Sequence, residues 1–242
     1  DAFIKIEYES CRPGGKSRTD TIEMHLRRSG AKSAAINRVP AQKINELFGC
    51  IHTVLFSPED LSLIKEGPAK RRRFMDMEIC QVDKVYLHYL QQYQILLRQR
   101  TQLLKDMVRK GTEKELVSVY DEQFAEYACR LIRRRREFLE QLSRIAPKIH
   151  EQITGNTEKI EFLYEANALE NQEQILRSLE QNLEQDLRLG VTSVGPHRDD
   201  IGIKINGTDV RTYGSQGQKR TAALSMKLAE VEMMEEETGQ SP

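Results

Sequence analysis

The sequence lacks an excess of charge of either sign, because Lys and Arg together number 37 and Asp and Glu also number 37. Net charge therefore indicates neither a nucleic-acid nor a membrane partner, and any DNA contact must come from local clusters of basic residues. The sequence also lacks a secretory signal and any apolar run near the roughly 20 residues of a membrane span. We therefore expect no membrane partner.

Paired cysteines and recognisable catalytic groups are missing as well. Cys11, Cys50, Cys80 and Cys129 are widely spaced and form no C-x-x-C pair, which favours free thiols in a reducing cytoplasm over disulfides or a zinc site. The chain shows no acid/base pair and no Ser-His-Asp order, so we assign no catalytic residue and no metal site within it. Its 242 residues suffice for one large domain or two small ones.

Hydrophobic alternation predicts a strand-rich beginning. We expect strands at 3–9, 21–27 and 34–37, a short helix at 41–48, a buried apolar strand at 51–56 and a helical turn that starts at 57. Gly15-Lys16-Ser17, in a Pro-Gly-Gly turn after the first strand, resembles the end of a P-loop. That loop needs a glycine where Ser10 stands and a helix where the second strand is expected, so the sequence excludes a Walker A motif here.

The middle of the chain shows apolar residues at heptad spacing, first between Tyr86 and Val108 and again between Tyr120 and Ile149. Two long helices with matching apolar seams and a short polar turn near Gly111 predict an antiparallel helical hairpin. Each seam skips one position, at Arg100/Thr101 and at Arg134/Arg135, so neither helix is a perfect coiled coil.

After this hairpin the pattern returns to short elements. We expect a strand at 160–164, a helix at 171–189, a short strand at 191–194 and a β-hairpin that turns at Asn206-Gly207. The polar turn, defined as residues 195–200 (Gly-Pro-His-Arg-Asp-Asp), precedes that β-hairpin. Strand-rich segments at both ends predict a mixed α/β (α+β) head with an inserted antiparallel helical hairpin.

A polar, glycine-containing stretch near the C-terminus, residues 213–218 and here named the Ser215 loop, runs directly into an amphipathic helix. Ser215 and Gln218 have the S-x-x-Q spacing of a capping box, in which each side chain satisfies a free backbone amide. The remaining amides point outward and the helix dipole adds to them, so an oxygen anion is the natural ligand. Lys219 and Arg220 either add charge or are solvated. The alternative is an ordinary well-capped surface helix.

Two clusters of basic residues are candidates for DNA contact. The first lies at a predicted helix start, where cations oppose the helix dipole, so it contacts either DNA phosphate or buried carboxylates such as Asp76 or Asp60. The second belongs to a basic face of the second long helix, at Arg130 and Arg133–Arg136, which is either solvated or bound to phosphate. The candidates are Lys70, Arg71, Arg72, Arg73, Arg130, Arg133 and Arg134.

The polar turn carries a histidine and three charged residues, which are His197, Arg198, Asp199 and Asp200. One histidine and two adjacent carboxylates whose side chains diverge are too few ligands for a metal site. An internal Arg–Asp clamp that holds the Ser215 loop is favoured over a catalytic role.

Three stretches, in this order, resemble the bacterial RecF family of DNA repair ATPases, which are of ABC type. They are Leu55–Leu61 continuing through Lys65–Pro68 to Arg71–Asp76, then the polar turn, and then the Ser215 loop with Lys227–Glu230 behind it. The likeness covers nearly the whole chain, and the second and third motifs together are highly specific.

The resemblance implies an ABC-type head with a helical second lobe. It divides the chain into a strand-rich part of the head at 1–66, a helical arm at 67–156 and a part of the head that carries the Ser215 loop at 157–242. It also implies a cytoplasmic protein that binds ATP, with Mg²⁺ in the full-length protein, and single-stranded or gapped DNA. The family acts in replication, recombinational repair and the SOS response, with RecR and RecO, to place RecA on single strands.

The resemblance further implies an ATP-dependent homodimer in which two heads enclose the nucleotide. Ser215 and the amides of Gln216 and Gly217 would then contact the γ-phosphate held by the second head, in trans. Gln218 would position the loop, with Lys219, Arg220 and the polar turn in support.

The family's Walker A loop should precede Asp1, and its Walker B strand should follow Pro242. We therefore expect an internal fragment, which binds no nucleotide stably and does not hydrolyse ATP alone. Asp199-Asp200 does not replace the Walker B motif, because Gly195-Pro196 intervenes and no apolar strand of the expected length leads into it. Two alternatives are a non-enzymatic DNA-binding or scaffold module and a purely structural helical-hairpin adaptor.

Overall fold

A computed structural model of the protein describes residues 1–11, 17–110, 115–239 and 241–242. The chain divides into two compact units, Asp1–His52 and Thr53–Pro242. The predicted turns at Gly15-Lys16 and near Gly111 lie outside the described residues. The functional division at 66/67 and 156/157 stays a prediction.

The first unit is a four-stranded antiparallel sheet in the order β1-β2-β3-β4. Ala2 lies opposite Leu26 and Cys11 opposite Ser17, which confirms the two paired strands that the alternation predicts. Ile22 and Ala34 are buried, but most apolar side chains of the first strand remain accessible. The strands are β1 (Ala2–Cys11), β2 (Ser17–Leu26), β3 (Ser33–Ile36) and β4 (Val39–Pro40).

The stretch between 41 and 56 differs from the prediction. The helix is reduced to one 3₁₀ turn at Ile44–Leu47. The buried strand at 51–56 is wrong, because Ile51 makes one isolated bridge and Leu55 and Phe56 are 75% and 49% exposed. A strand needs a neighbour to take up its backbone hydrogen bonds, and no described strand runs alongside this stretch.

The second unit starts with helices whose beginnings follow local sequence signals. A 3₁₀ turn at Pro58–Leu61 is capped by Ser57, whose Oγ accepts a hydrogen bond from the Glu59 amide at 3.2 Å. Pro68 occupies the first position of the next long helix, where its missing amide proton is not needed. The helices of this part are α1 (Ser62–Lys65), α2 (Pro68–Val82), α3 (Lys84–Lys110) and α4 (Glu115–Ile153).

Helices α3 and α4 form the predicted antiparallel hairpin. The ring centroids of Tyr89 and Tyr127 are 5.7 Å apart, and those of Tyr93 and Phe124 are 4.7 Å apart. Arg100 Nε lies 2.7 Å from Asp121 Oδ1. Residue numbers rise along one helix as they fall along the other, so the helices run in opposite directions.

The seam of α3 differs from the prediction at its last position. Val108 is 66% exposed and the neighbouring Met107 is buried instead. The skipped seam positions are filled by arginine side chains, because Arg100 and Arg135 are 0% and 2% exposed.

A second, three-stranded antiparallel sheet has the order β5-β6-β7. Asn206 and Gly207, with φ of 50° and 77°, make the predicted turn between its last two strands. The predicted helix at 171–189 is interrupted at Asn182, and residues 191–194 form no strand. These elements are β5 (Ile160–Glu165), α5 (Gln172–Gln181), α6 (Leu183–Leu189), β6 (Asp200–Ile205) and β7 (Thr208–Asp209).

The chain ends in α7 (Val210–Tyr213) and α8 (Gln216–Thr238). Helix α8 packs against α4 and buries Ala222, Met226 and Ala229 completely. This packing fixes the direction of α8 and therefore the place of the Ser215 loop. Within the described residues, no helix combines the length and the apolar character that a membrane span needs.

Candidate nucleotide-contact loop and the buried polar network beside it

The Ser215 loop forms the capping box that the sequence predicts. Ser215 Oγ accepts a hydrogen bond from the Gln218 amide at 3.1 Å, and Gln218 Oε1 accepts one from the Ser215 amide at 2.9 Å. Ser215, Gln216 and Gly217 are all exposed. The amides of Gln216 and Gly217 belong to the first turn of α8, where a helix supplies no acceptor of its own. They are therefore placed to meet an anion from outside.

Two glycines flank this helix start for different reasons. A Cβ on Gly214 would lie 2.5 Å from the Val210 carbonyl oxygen, so packing against α7 requires a glycine there. A Cβ on Gly217 would meet only Ser215 Oγ, at an ordinary 3.7 Å, and its φ is not left-handed. Neither packing nor conformation explains Gly217, whereas a ligand that approaches the backbone closely would.

Gln218 is connected to residues outside the loop. Its Nε2 donates to Glu158 Oε1 at 3.0 Å, and Glu158 Oε2 lies 3.3 Å from His150 Nε2. His150, on α4, is fully buried, and its Nδ1 lies 2.9 Å from Ser225 Oγ on α8. Polar contacts therefore connect the start of α8 to the end of α4.

The two basic residues after the loop lie in different surroundings. Lys219 is half-buried, while Arg220 is exposed. Arg220 lines an open groove together with Phe56, Asp60 and Leu224. Its charge is thus accessible within two turns of the helix start.

The polar turn directs its first carboxylate into the protein. Asp199 is fully buried, and its Oδ2 accepts hydrogen bonds from Arg135 Nη1 at 3.1 Å and from the Tyr164 hydroxyl at 2.5 Å. Its Oδ1 accepts one from the Asn167 amide at 2.8 Å. Arg135 Nη2 also donates to Asp76 Oδ1 at 2.8 Å. This network therefore joins α2, α4 and β5 around one buried arginine.

The second carboxylate of the turn has a different arginine. Arg71 Nε and Nη2 donate to the two oxygens of Asp200 at 2.6 and 2.8 Å, and Arg72 Nη1 donates to the Asp199 carbonyl at 2.7 Å. The arginines that pair with the turn's two carboxylates are thus Arg71 and Arg135 of other helices, while the turn's own Arg198 contacts the Thr192 carbonyl. Asp209 and Thr212, which lead into the Ser215 loop, line the same polar pocket as Arg71 and Asp200. A role of the clamp in holding that loop stays a prediction.

His197 is a neutral member of this network. Its Nε2 lies 2.8 Å from the Thr192 carbonyl, which only accepts, so Nε2 carries the proton. Its Nδ1 then accepts a hydrogen bond from the Tyr93 hydroxyl at 2.6 Å. Burial lowers the pKa of His197 to about 4, because the charged imidazolium loses hydration. The hydrogen bond with the Thr192 carbonyl acts in the opposite direction and raises the pKa, but by less. The same carbonyl accepts a contact from the exposed Arg198, at 3.3 Å.

Arg100 anchors the hairpin to α6 and to the segment that follows it. Its Nε donates to Asp121 Oδ1 at 2.7 Å and its Nη1 to Asp186 Oδ2 at 2.8 Å. Asp186 is fully buried, and its Oδ1 accepts a hydrogen bond from the Ser193 amide at 3.1 Å. Side chains thus bind the Ser193 amide and the Thr192 carbonyl, two backbone groups that a strand would have paired with a neighbouring strand.

A further buried ion pair lies along α8, within the stretch that resembles the RecF family. Lys227 contacts Glu230 directly, and Glu78 on α2 faces the same pair. Burial raises the pKa of Glu78 and that of Glu230, because the charged carboxylates lose hydration. These three side chains connect α2 to α8 in the middle of α8, away from its start at the Ser215 loop.

The predicted DNA-contact residues separate into buried and exposed sets. Arg71 is buried against Asp200, and Arg134 is largely covered between Asp83 and Glu237. Consecutive residues of a helix point about 100° apart, so the four arginines at 133–136 do not form one face, and Arg135 points inward. Arg72 is half-buried, and Lys70, Arg73, Arg130 and Arg133 are exposed. DNA contact by the exposed residues stays a prediction.

The exposed arginines on α4 already have acidic neighbours. Arg130 Nη2 lies 3.0 Å from Glu126 Oε1, and its guanidinium carbon stands 4.9 Å from the centre of the Tyr89 ring. Arg133 Nε lies 2.7 Å from Glu170 Oε1. Any phosphate must compete with these contacts, which are weak at an exposed surface.

Sequence reasoning missed several members of the network. Arg100 and Arg135 carried a usable signal, because each stands where an apolar seam is interrupted, and a charge on a buried seam requires an acidic partner. No sequence signal marked the other three members, because their partners lie on other elements of the fold; they are His150, Glu158 and Tyr164.

Comparison with known proteins shows what the whole chain is similar to. No family model matches the chain. The DNA replication and repair protein RecF of Agathobacter rectalis is 45% identical over 223 residues, covering 91% of this chain and 60% of that protein. The protein of the same name from Lachnoclostridium phytofermentans is 44% identical over 244 residues, covering 99% and 67%. A solved structure described as the recombination mediator protein RecF-ATP in the RecFOR pathway has 37% identity and a TM-score of 0.90, covering 100% of this chain and 66% of that one.

The fold is that of a mixed α/β head of ABC-ATPase type with helices and small sheets, in agreement with the prediction. The chain belongs to the RecF family of DNA replication and repair proteins. It spans 60% and 67% of the length of the two curated relatives.

Proposed function

We propose that this chain is the part of a RecF-type ABC ATPase that carries the signature loop, and that this loop contacts the γ-phosphate of ATP held by a second subunit. The observation that carries the proposal is the exposed, capped start of α8 at Ser215. Gly217 supports it, because neither the described neighbours nor the backbone conformation requires a glycine there, whereas the close approach of a ligand does. The RecF-ATP description of a solved relative supports the choice of nucleotide.

The chemistry of the contact follows from the helix start. The amides of Gln216 and Gly217 and the hydroxyl of Ser215 donate hydrogen bonds to phosphate oxygens, and the positive end of the helix dipole strengthens them. Lys219 and Arg220 add positive potential nearby. A terminal phosphate offers the charge that this site attracts, so head-to-head dimerisation senses whether ATP is intact. ATP and Mg²⁺ are bound by the full-length protein, and this chain alone neither binds nucleotide stably nor hydrolyses it.

The wider role that we propose is the one that the relatives' names support. The protein acts in the cytoplasm in replication and in recombinational repair of gapped DNA, including the SOS response. It binds single-stranded or gapped DNA and works with RecR and RecO to load RecA. The descriptions of relatives as DNA replication and repair proteins, and of one as a recombination mediator in the RecFOR pathway, support the replication, repair and RecFOR parts of this assignment.

The nucleotide contact is tested in the full-length protein with Ser215→Asp and Ser215→Thr. Both variants keep an acceptor that caps α8, but aspartate places a negative charge where the γ-phosphate should stand. We expect ATP-dependent dimerisation, measured by light scattering, to be lost in Ser215→Asp and retained in Ser215→Thr. Dimerisation of Ser215→Asp at the same ATP concentration as the unaltered protein would refute the contact.

DNA contact is tested by charge reversal at the exposed arginines of α4. The association constant for DNA falls as the salt concentration rises. Each phosphate contact that is lost should make the slope of its logarithm against the logarithm of the salt concentration less steep by about 0.7 to 0.9. We expect this reduction in Arg130→Glu and Arg133→Glu, and an unchanged slope in the control Arg177→Glu, which is also exposed and near a glutamate. A slope that stays the same in all three variants assigns those arginines to a solvated surface.

A further inference from the structure

We infer that Glu158 is a positioning residue for the Ser215 loop, on which it acts by fixing the side-chain amide of Gln218. The inference rests on the proposed function, because the orientation of this loop affects ATP only if the loop contacts the nucleotide. Glu158 does not lie in the loop and is 60 positions from Gln218 in the chain.

The first step of the argument concerns the two ends of the Gln218 amide. Its Oε1 accepts from the Ser215 amide at 2.9 Å, while its Nε2 donates to Glu158 Oε1 at 3.0 Å. A flipped amide would place a donor against the Ser215 donor and an acceptor against the Glu158 carboxylate. Glu158 therefore selects the one orientation in which the capping box closes.

The second step concerns the buried His150 ring beside Glu158. Ser225 Oγ donates its one proton to the Thr221 carbonyl at 2.7 Å, so it accepts from Nδ1 of His150 at 2.9 Å. Nε2 of His150 lies 3.3 Å from the other oxygen of Glu158 and makes no hydrogen bond among the described residues. The positioning role therefore belongs to Glu158, through its hydrogen bond with Gln218.

The third step is that the capping box alone leaves the Gln218 side chain a freedom to rotate that Glu158 removes. Ser215 is exposed, and its two hydrogen bonds with Gln218 compete with water. A contact to a charged carboxylate is stronger than one between neutral groups. Its removal should let the Gln218 amide rotate, and the Ser215 amide should then exchange with solvent more often.

The local effect is tested on this chain by hydrogen exchange of the Ser215 amide, followed by NMR. We expect exchange about tenfold faster in Glu158→Ala, because a hydrogen bond to a charged group contributes roughly 1.5 kcal/mol. Glu158→Gln should restore slow exchange, since its carbonyl still accepts from Gln218. Glu161→Ala, an exposed carboxylate on β5, serves as the control and should leave the rate unchanged.

A reversed pair keeps the test decisive if Glu158→Ala is unstable. Gln218→Glu retains an acceptor for the Ser215 amide but sets two carboxylates against each other, so exchange should accelerate. The double variant Gln218→Glu with Glu158→Gln restores one donor and one acceptor in the opposite sense, and exchange should slow again. Equal exchange rates in the single and double variants would overturn the inference.

The effect on ATP is measured in the full-length protein. We expect Glu158→Ala to raise the ATP concentration for half-maximal dimerisation by about fivefold, and Glu158→Gln to stay within about twofold of the unaltered protein. If Ser215→Asp dimerises normally while Glu158→Ala still accelerates exchange, the γ-phosphate contact fails and the positioning role stands. If Ser215→Asp abolishes dimerisation while Glu158→Ala changes neither readout, the contact stands and the positioning role is refuted.

Discussion

The polar turn and the Ser215 loop are both short, glycine-containing and rich in polar side chains, yet they use those side chains in opposite ways. The polar turn directs Asp199 to Arg135 and Tyr164, and Asp200 to Arg71. The Ser215 loop leaves Ser215, Gln216 and Gly217 exposed. One stretch satisfies its polar groups within the protein, and the other leaves amides at a helix start without a partner in the helix.

This difference separates a stabilising role from a binding role. A buried polar group that has its partners contributes to the fold and has no capacity left for a ligand. An exposed helix start contributes little to the fold and keeps its capacity to bind. Substitutions in the polar turn should therefore alter stability most, and those in the Ser215 loop should alter ATP response most.

The largest effect is expected from Arg135→Ala. It leaves Asp76 and Asp199 without their arginine, and the loss of one partner from a buried ion pair typically costs about 3–5 kcal/mol. The free energy of unfolding, measured in urea, should fall by that amount. Arg136→Ala is the matched control, because Arg136 is exposed beside Glu170 and should change stability by at most about 1 kcal/mol. Similar losses in both variants would contradict the assigned network.

The next largest effect is a dependence of stability on pH that comes from His197. Its folded pKa of about 4 lies below its unfolded value of 6.5, so the unfolded chain binds more protons between these pH values. Stability contributed by neutral His197 is present above pH 6.5 and is lost as pH falls toward 4, by up to about 3 kcal/mol. His197→Gln should lack this pH dependence. The free energy of unfolding is measured in urea at several pH values for both proteins, and the difference between the two plots against pH isolates the contribution of His197. Parallel curves would show that His197 is not neutralised by burial.

Alanine substitutions at the two glycines beside Ser215 should change stability by smaller amounts and in opposite directions. Gly214→Ala places a methyl group against the Val210 carbonyl and should lower stability by about 1–3 kcal/mol. Gly217→Ala fits its site and replaces glycine in a helix, so it should raise stability by about 0.5–1 kcal/mol. Thermal unfolding of the two variants checks this contrast. A destabilised Gly217→Ala would remove the support that this glycine lends to the ligand contact.

The smallest effect is expected from the helix cap itself. Ser215→Ala removes the acceptor for the Gln218 amide and should lower stability by about 1 kcal/mol, whereas Ser215→Asp keeps an acceptor and should stay near the unaltered protein. Unfolding in urea measures both. A much larger loss in Ser215→Ala would show that the loop is part of the core, against the comparison drawn above.

Local patterns predicted the elements that depend on nearby residues. Heptad spacing predicted α3 and α4, Asn206-Gly207 predicted the last β-hairpin, and Ser215 with Gln218 predicted the capping box. The strand at 51–56 was wrong, because an apolar run forms a strand only where a partner strand exists.

The sequence by itself determined the two long helices α3 and α4, the capped start of α8 and the family, since these depend on residue patterns that are local in the chain. Only the tertiary structure decided which of several adjacent arginines is buried, because Arg71 and Asp200 are 129 positions apart and Arg135 and Asp199 are 64 apart. It also decided that Glu158 orients Gln218. Like charges in a row are equivalent in sequence, and only the three-dimensional distances to their partners distinguish them.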